Sequence, residues 1–354
     1  EHVDTVMPGY THLRPSQPIT FGYYLTGIEA ALERDTQRIE AAYARTNLNP
    51  LGAAAMAGTS FDLDRELTTE LLGFDDILEH CLDAVASRDY VLELLSACAI
   101  LATTLTRIAT DLYIWQADEF GMVELGDAIS GTSSIMPQKK NPHPLEQARG
   151  RAPQVYGALM ASLSATKGTI FSNNQETGQA AIQQLDMAID ETHIAMRLIT
   201  MVARNIDAFP ELMEERATLD YSSVTDLADM IVRDFGVSFR EAHGIVGGAV
   251  MHAVRAGLRA TDITPELLNK ESMLILGREL PFSAVEIQQI LQARSSVYGK
   301  LTVGGPHPKE VRRMIARGRA RLTNEQHRLD LRVQRLNNAD ERINALTAEL
   351  STSL

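Results

Sequence analysis

Aromatic side chains make up only 5% of this 354-residue chain, with a single Trp, and there are only two cysteines. A core so poor in rings and rich in Ala, Leu, Glu and Arg favours helices packed on helices. Cys81 and Cys98 lie in helical, apolar contexts without metal-ligand spacing, which predicts two reduced, buried thiols and excludes a disulfide scaffold. The formal net charge of -13 argues against nucleic acid as a partner. An anionic substrate must then be held by a local basic pocket. No run approaches the ~18 apolar residues of a membrane span, and no charged segment precedes a hydrophobic one, so neither a membrane partner nor a leader is expected and the expected location is cytoplasmic. Repeats and low-complexity tracts are also missing.

What is present is long helical periodicity on 45% apolar residues, enough for a substantial core. Phe21, Leu25, Ile28, Leu32 and Ile39 recur at helical spacing before Asn47-Leu48-Asn49-Pro50 ends the run. From Ser87 to Glu119 there is neither Gly nor Pro, which predicts a rod on the order of 45–50 Å. Further rods are expected at 143–167 and 179–206. Apolar residues on several sides of these rods imply a bundle whose remaining faces bury against other subunits. The texture changes at Phe209-Pro210, after which shorter helices alternate with turns at Gly236, Gly257 and Pro265. The predicted fold is all-α, with a central long-helix domain at 1–209 and a small C-terminal helical domain at 210–315. A heptad-patterned helix is predicted at 316–354. Leu322, Leu329, Leu336, Ile343 and Leu350 mark the heptad, whose alternate position is mostly polar, so packing on the chain's own body is expected ahead of pairing with another subunit's tail.

Two hydroxyls, two ammonium groups and two amides fall within Ser133-Ser134-Ile135-Met136-Pro137-Gln138-Lys139-Lys140-Asn141-Pro142, framed by Gly126, Gly131, Pro137 and Pro142. Helix is excluded there, backbone N–H groups are left over, and the segment is built to receive an anion. It resembles the Gly-Ser-Ser-x-Met-Pro-x-Lys-x-Asn-Pro signature of the fumarase/aspartase superfamily, and its Gln-Lys-Lys-Asn-Pro form is closest to the argininosuccinate lyase branch. Met7-Pro8-Gly9-Tyr10-Thr11-His12-Leu13, Pro50-Leu51-Gly52-Ala53, Arg88-Asp89, Thr225-Asp226-Leu227-Ala228-Asp229 and Phe239-Arg240-Glu241-Ala242-His243 extend the likeness from about residue 5 to 315.

The resemblance implies a homotetramer and a cofactor-free, metal-free carbon–nitrogen lyase that eliminates fumarate from argininosuccinate or a related N-substituted aspartate. It also implies an N-terminal domain ahead of Glu1. Carried over residue by residue, it makes Ser133 the base, gives the substrate's carboxylates to Thr11, Lys139 and Asn141, and pairs His12 with Glu146 on the acid side. The chemistry is demanding, because a serine base needs its pKa lowered by neighbouring cations and loop N–H groups. For Ser134 a hydroxyl tied to its own loop is the expected role, and His143 and His307 are read as surface residues.

Arg14 stands where the family has Gln after Thr-His-Leu, and Gly131-Thr132 where it has Thr-Gly before the two serines; the other departures fall on the amine side. Where the family holds the arginine end with Tyr, Gln and Lys, this chain has Asn173, Gly178 and Ala181. Argininosuccinate therefore competes with other N-succinyl amines or amino acids as the substrate. The alternative class is a catalytically silent structural homolog of the crystallin type.

Overall fold

A computed structural model of the chain describes residues 1–219 and 221–353, so residue 354, the last of the predicted heptad segment, lies outside the described residues. It is all-α apart from short two-stranded pairings. Two compact units emerge, neither continuous in sequence. The first comprises Glu1–Glu29, Asp118–Glu124 and Ala208–Arg319, and the second Ala30–Ala117, Leu125–Asp207 and Ala320–Leu354.

The first unit opens with an antiparallel hairpin, β1 (Val6–Thr11) and β2 (Arg14–Thr20). The register shifts between Pro8 and Tyr10, and a Cβ on Gly9 would lie 2.5 Å from the Gln17 carbonyl oxygen, so only glycine fits the bulge. Gln17 and Pro18 are strand residues here, and the first long helix starts at Phe21. Five shorter helices follow in this unit: α8 (Val224–Phe235), α9 (Phe239–Arg255), α10 (Pro265–Leu276), α11 (Ala284–Ile290) and α12 (Ala293–Gly299), after α7 (Pro210–Leu219). Leu227, Ile231, Ile245, Ile263, Leu268 and Leu291 form their core. The stops are local: Gly236 ends α8 at φ 65°, and Ser238 with Glu241 closes a capping box on α9. Pro265 is the first residue of α10, so the break expected there is a helix start.

Three rods build the second unit: α4 (Asp89–Gln116), α5 (His143–Thr166) and α6 (Leu185–Arg204). Val91, Leu95 and Ala102 of α4 meet Ala152, Val155 and Ala158 of α5 and Ala188 of α6, and the alanines let the axes come close. By length and a mean hydropathy of 1.6, α4 could cross a bilayer, contrary to the reading of the sequence, but half of that window is buried in the protein. It serves as a core helix. α6 starts six residues later than expected, because Glu176–Ala180 forms a π-helical turn. Cys98 is buried and its thiol is pushed up in pKa by that burial, whereas Cys81 is only half-buried.

α1 (Phe21–Thr46) and α13 (Pro308–Ser353) each run through a boundary between the units. In the second unit α13 docks through arginines. Arg321 meets Glu33 at 2.7 Å, Arg328 meets Glu40 at 3.1 Å, and Arg335 and Arg342 bind Asp75 and Glu70. Of the heptad residues, Leu322, Leu329 and Leu350 are 59%, 51% and 64% exposed, whereas Leu336 lies over Gly73 and Ile343 is half-buried. The helix packs on its own chain, by its arginines together with part of the heptad stripe.

Candidate active site

The motif loop is a hairpin. β6 (Gly131–Thr132) pairs antiparallel with β7 (Lys140–Asn141), placing Thr132 opposite Lys140, so Ser133 and Lys139 flank the mouth as the first and last loop residues. Pro137 presets the return, and the Lys139 N–H donates to the Met136 carbonyl at 3.1 Å. The half-buried Ser133 Oγ accepts the N–H groups of Met136 at 3.1 Å and Ile135 at 3.3 Å. Two donors aimed at one oxygen favour its anionic form. The same bonds also hold the loop closed, which a purely structural serine would do. Ser134, expected to make such bonds, makes none among the described residues and is exposed.

The two lysines differ. Lys140 pairs with Asp127 at 2.7 Å, while among the described residues the exposed Lys139 ammonium has no carboxylate partner. Asn141 is half-buried at the end of β7, and Glu146 sits exposed in the first turn of α5, where the helix dipole favours its charge. The Tyr113 hydroxyl donates to Glu146 Oε1 over a long 3.5 Å, and the Arg149 guanidinium lies 5.1 Å above the Tyr113 ring. Ser133, Lys139, Asn141 and Glu146 thus share one short stretch of the second unit.

His143 is exposed, as read from the sequence, but its contact was not legible there. A Cβ on Gly131 would fall 2.1 Å from His143 Nδ1, so the imidazole lies against the glycine and buttresses the hairpin base from the first residue of α5. Nothing in local spacing announces that contact. His307 is half-buried rather than superficial: its ring meets Tyr298 edge-on at 5.6 Å, and its Nδ1 accepts the Lys309 N–H at the start of α13.

Thr11 and His12 belong to the first unit, at the tip of the β1–β2 hairpin, with both side chains exposed. His12 and Leu13 have φ of 54° and 57°, a left-handed pair of the type I′ kind normally filled by Asn or Gly. Strained non-glycine backbone of this sort costs about 1–3 kcal/mol per residue and concentrates at working sites.

A cleft of about 640 Å³ opens in the second unit between the 50–55 loop, Ala84, Val85, Arg88 and Asn173. Its loop is organised by two polar side chains. Fully buried Asn49 donates to the Thr68 and Thr69 hydroxyls and accepts the Leu51 N–H. Arg65, in the first turn of α2 (Arg65–Leu72), donates to the carbonyls of Leu51, Leu78 and Asn49 at 2.7, 2.9 and 3.3 Å. These bonds force the turn that carries Gly52 at φ 87° and Ala54 at φ 50°. Of the three amine-side positions, Asn173 lines the cleft, Gly178 lies in the π-helical turn, and Ala181 is fully buried, its carbonyl accepting the Ser162 hydroxyl at 2.7 Å.

Comparison with known proteins gives two family models in chain order: Lyase over residues 1–157, and Argininosuccinate lyase C-terminal over residues 221–298. Argininosuccinate lyase 1 of Shouchella clausii is 37% identical over 350 residues, which is 99% of this chain and 70% of that protein. The argininosuccinate lyase of Methanosarcina acetivorans is 38% identical over 327 residues, covering 92% of this chain and 66% of that one. The solved structure of an EDDS lyase variant with bound fumarate superposes with a TM-score of 0.89 at 35% identity, covering 97% of this chain and 68% of the other. The chain therefore spans about two thirds of the length of each of these relatives.

Proposed function

We propose, for a chain that belongs to the argininosuccinate lyase branch of the fumarase/aspartase superfamily and is thereby a carbon–nitrogen lyase, that the complete protein eliminates fumarate from an N-substituted aspartate, reversibly. The observation that carries the reading is the pairing at the hairpin mouth: a Ser133 Oγ that accepts two loop N–H groups, beside a Lys139 free of any carboxylate among the described residues.

The chemistry follows. Ser133 as alkoxide takes the proton from the carbon next to the substrate's distal carboxylate, and the C–H electrons pass into a doubly charged aci-carboxylate. Lys139, Asn141 and Thr11 hold the carboxylates and stabilise that charge. The carbon–nitrogen bond then breaks, its electrons leave on nitrogen, and the double bond of fumarate forms. His12, oriented by Glu146, supplies the proton that nitrogen gains. Thr11 and His12 belong to one unit and Ser133, Lys139, Asn141 and Glu146 to the other, and the proposal is completed by a cytoplasmic homotetramer in which these groups converge between subunits. Exposed apolar residues on the three rods, among them Ile100, Tyr156, Met160, Leu163 and Met196, support the assembly.

On the amine side, the replacements at 173, 178 and 181 support a smaller amine than arginine. The silent-scaffold alternative is not favoured, since every fumarate-side residue of the motif is present. Ultraviolet absorbance of fumarate released by the complete protein from a panel of N-substituted aspartates tests the reading, and release from none of them would refute it.

A further inference from the structure

Past Arg332, α13 is held to the second unit by a thin line of contacts: from 333 to 350 only Arg335, Ala339 and Ile343 are not exposed. These contacts converge on one short helix and the turn after it. Arg342 binds Glu70 in the last turn of α2, and Arg335 binds Asp75. Leu336 and Ala339 cover Gly73, the left-handed cap of α2 at φ 73°, where a Cβ would stand 3.1 Å from Leu336 Cδ2 and 3.3 Å from Ala339 Cβ. The other end of α2 holds the cleft loop. Arg65 binds the carbonyls of Leu51, Asn49 and Leu78, while Thr68 and Thr69 accept the Asn49 amide. Between Asn49 and Asp64, the N-cap of α2, runs the loop that gives the cleft its Pro50 to Ala55 wall. At eight residues α2 is about 12 Å long, a rigid lever with α13 on one end and the loop on the other. The hairpin of Ser133 and Lys139 closes instead through its own ladder and turn.

We propose that the C-terminal half of α13 is a strap that positions the cleft loop through α2, with Arg335 and Arg342 as its positioning residues. Releasing it loosens the grip on the substrate's amine side and spares the fumarate side. The kinetic consequence rests on the fumarate-eliminating reading, in which Asn173 of the amine side lines the same cleft. Two half-exposed bridges and a narrow apolar contact make a latch that opens without unfolding the rods, because ion pairs of this exposure are individually weak and screened by salt. Couplings of ordinary size correspond to about 5- to 150-fold in affinity, and so light a latch belongs at the low end.

The test shortens the complete protein after Arg332 and reads amide exchange together with steady-state kinetics. The Ala53 and Gly58 amides, which bond the carbonyls of Pro50 and Ala53 within the loop, should exchange at least about 5-fold faster, while the Lys139 amide at the hairpin mouth keeps its rate. KM for an N-substituted aspartate should rise by about the same factor with kcat within about 2-fold, and the inhibition constant of succinate should hold. R342E should move both readouts in the same direction, and the swapped pair E70R/R342E should restore them. Unchanged exchange at Ala53 and Gly58, equal acceleration at Lys139, or a swap that restores nothing would overturn the strap. If the shortened chain does not fold, R342E and its swap decide by the same criteria. Loosened loop amides in a protein that turns over no N-substituted aspartate would sink the elimination reading and leave the strap standing, whereas a parent-like KM alongside loosened loop amides would sink the strap's link to the amine side.

Discussion

Replacing Ser133 with alanine removes both a proposed base and two loop hydrogen bonds, and the two losses have different sizes. Its Oγ accepts from Ile135 and Met136 at 3.3 and 3.1 Å, and a neutral hydrogen bond of this type contributes about 0.5–1.5 kcal/mol, so the loop loosens by about 1–3 kcal/mol. Lys139 is anchored separately, through the Met136–Lys139 turn and the β6–β7 ladder, so loosening at Ser133 alone leaves the cation near its place. Loss of a positioned proton-transfer group costs about 10²–10⁴-fold in kcat. In the complete protein, S133A should therefore lose 10²–10⁴-fold in turnover while the inhibition constant for succinate or fumarate changes by less than about 10-fold. K139A should weaken that binding as well. Steady-state kinetics with competitive inhibition gives both numbers. Turnover of S133A within a few-fold of the parent removes Ser133 from the mechanism, and equal losses in turnover and inhibitor binding reduce it to a loop-holding residue.

The replacements at Asn173, Gly178 and Ala181 remove three partners of an arginine-sized amine, at ~1–3 kcal/mol for each group left buried and unpaired. Even one or two such losses place argininosuccinate about 10- to 1000-fold below the best N-substituted aspartate in kcat/KM; the highest value in the panel for argininosuccinate would contradict this. For Asp75, burial pushes the pKa up, but hydrogen bonds from Arg335 and Asn47 more than offset it and hold the carboxyl below its ordinary value. The bridge to α13 is thus present above the unfolded carboxyl pKa of about 3.9 and is lost as pH falls through the folded value. Protection factors of amides near Arg335, taken relative to intrinsic exchange at each pH, should fall below about pH 4 and hold between pH 5 and 8, and unchanged protection down to pH 3 would refute the link. Sedimentation should find a tetramer, and a stable monomer at micromolar concentration would rule it out.

Features carried by neighbours in sequence were legible before any coordinates. The hairpin loop with its Gly, Pro and Asn punctuation, the uninterrupted stretch that became α4, and the break near Phe209 are all local. Features that depend on remote partners were not. His12 and Leu13 occupy left-handed positions without being the residues that advertise them, so the β1–β2 hairpin was hidden. The heptad leucines of α13 suggested an apolar seam, but its docking also depends on Glu33, Glu40, Glu70 and Asp75, hundreds of residues away in sequence. Arg65 and His143 resemble ordinary helix-start residues until the carbonyls and the glycine they serve are seen. The fumarate-side motif was readable because Ser133, Lys139, Asn141 and Glu146 sit within a fourteen-residue window. The cleft was not, because its walls come from three separate segments.

The claim most in need of test is that the carbon–nitrogen bond is made and broken together with a proton on the adjacent carbon. Addition of an amine to fumarate by the complete protein in deuterated water, followed by nuclear magnetic resonance, reads this directly. The account predicts an N-substituted aspartate with one deuteron, on a single face of the carbon that does not carry nitrogen. An adduct without deuterium at that carbon, or deuterium on both faces, would contradict a positioned base on one side of the substrate.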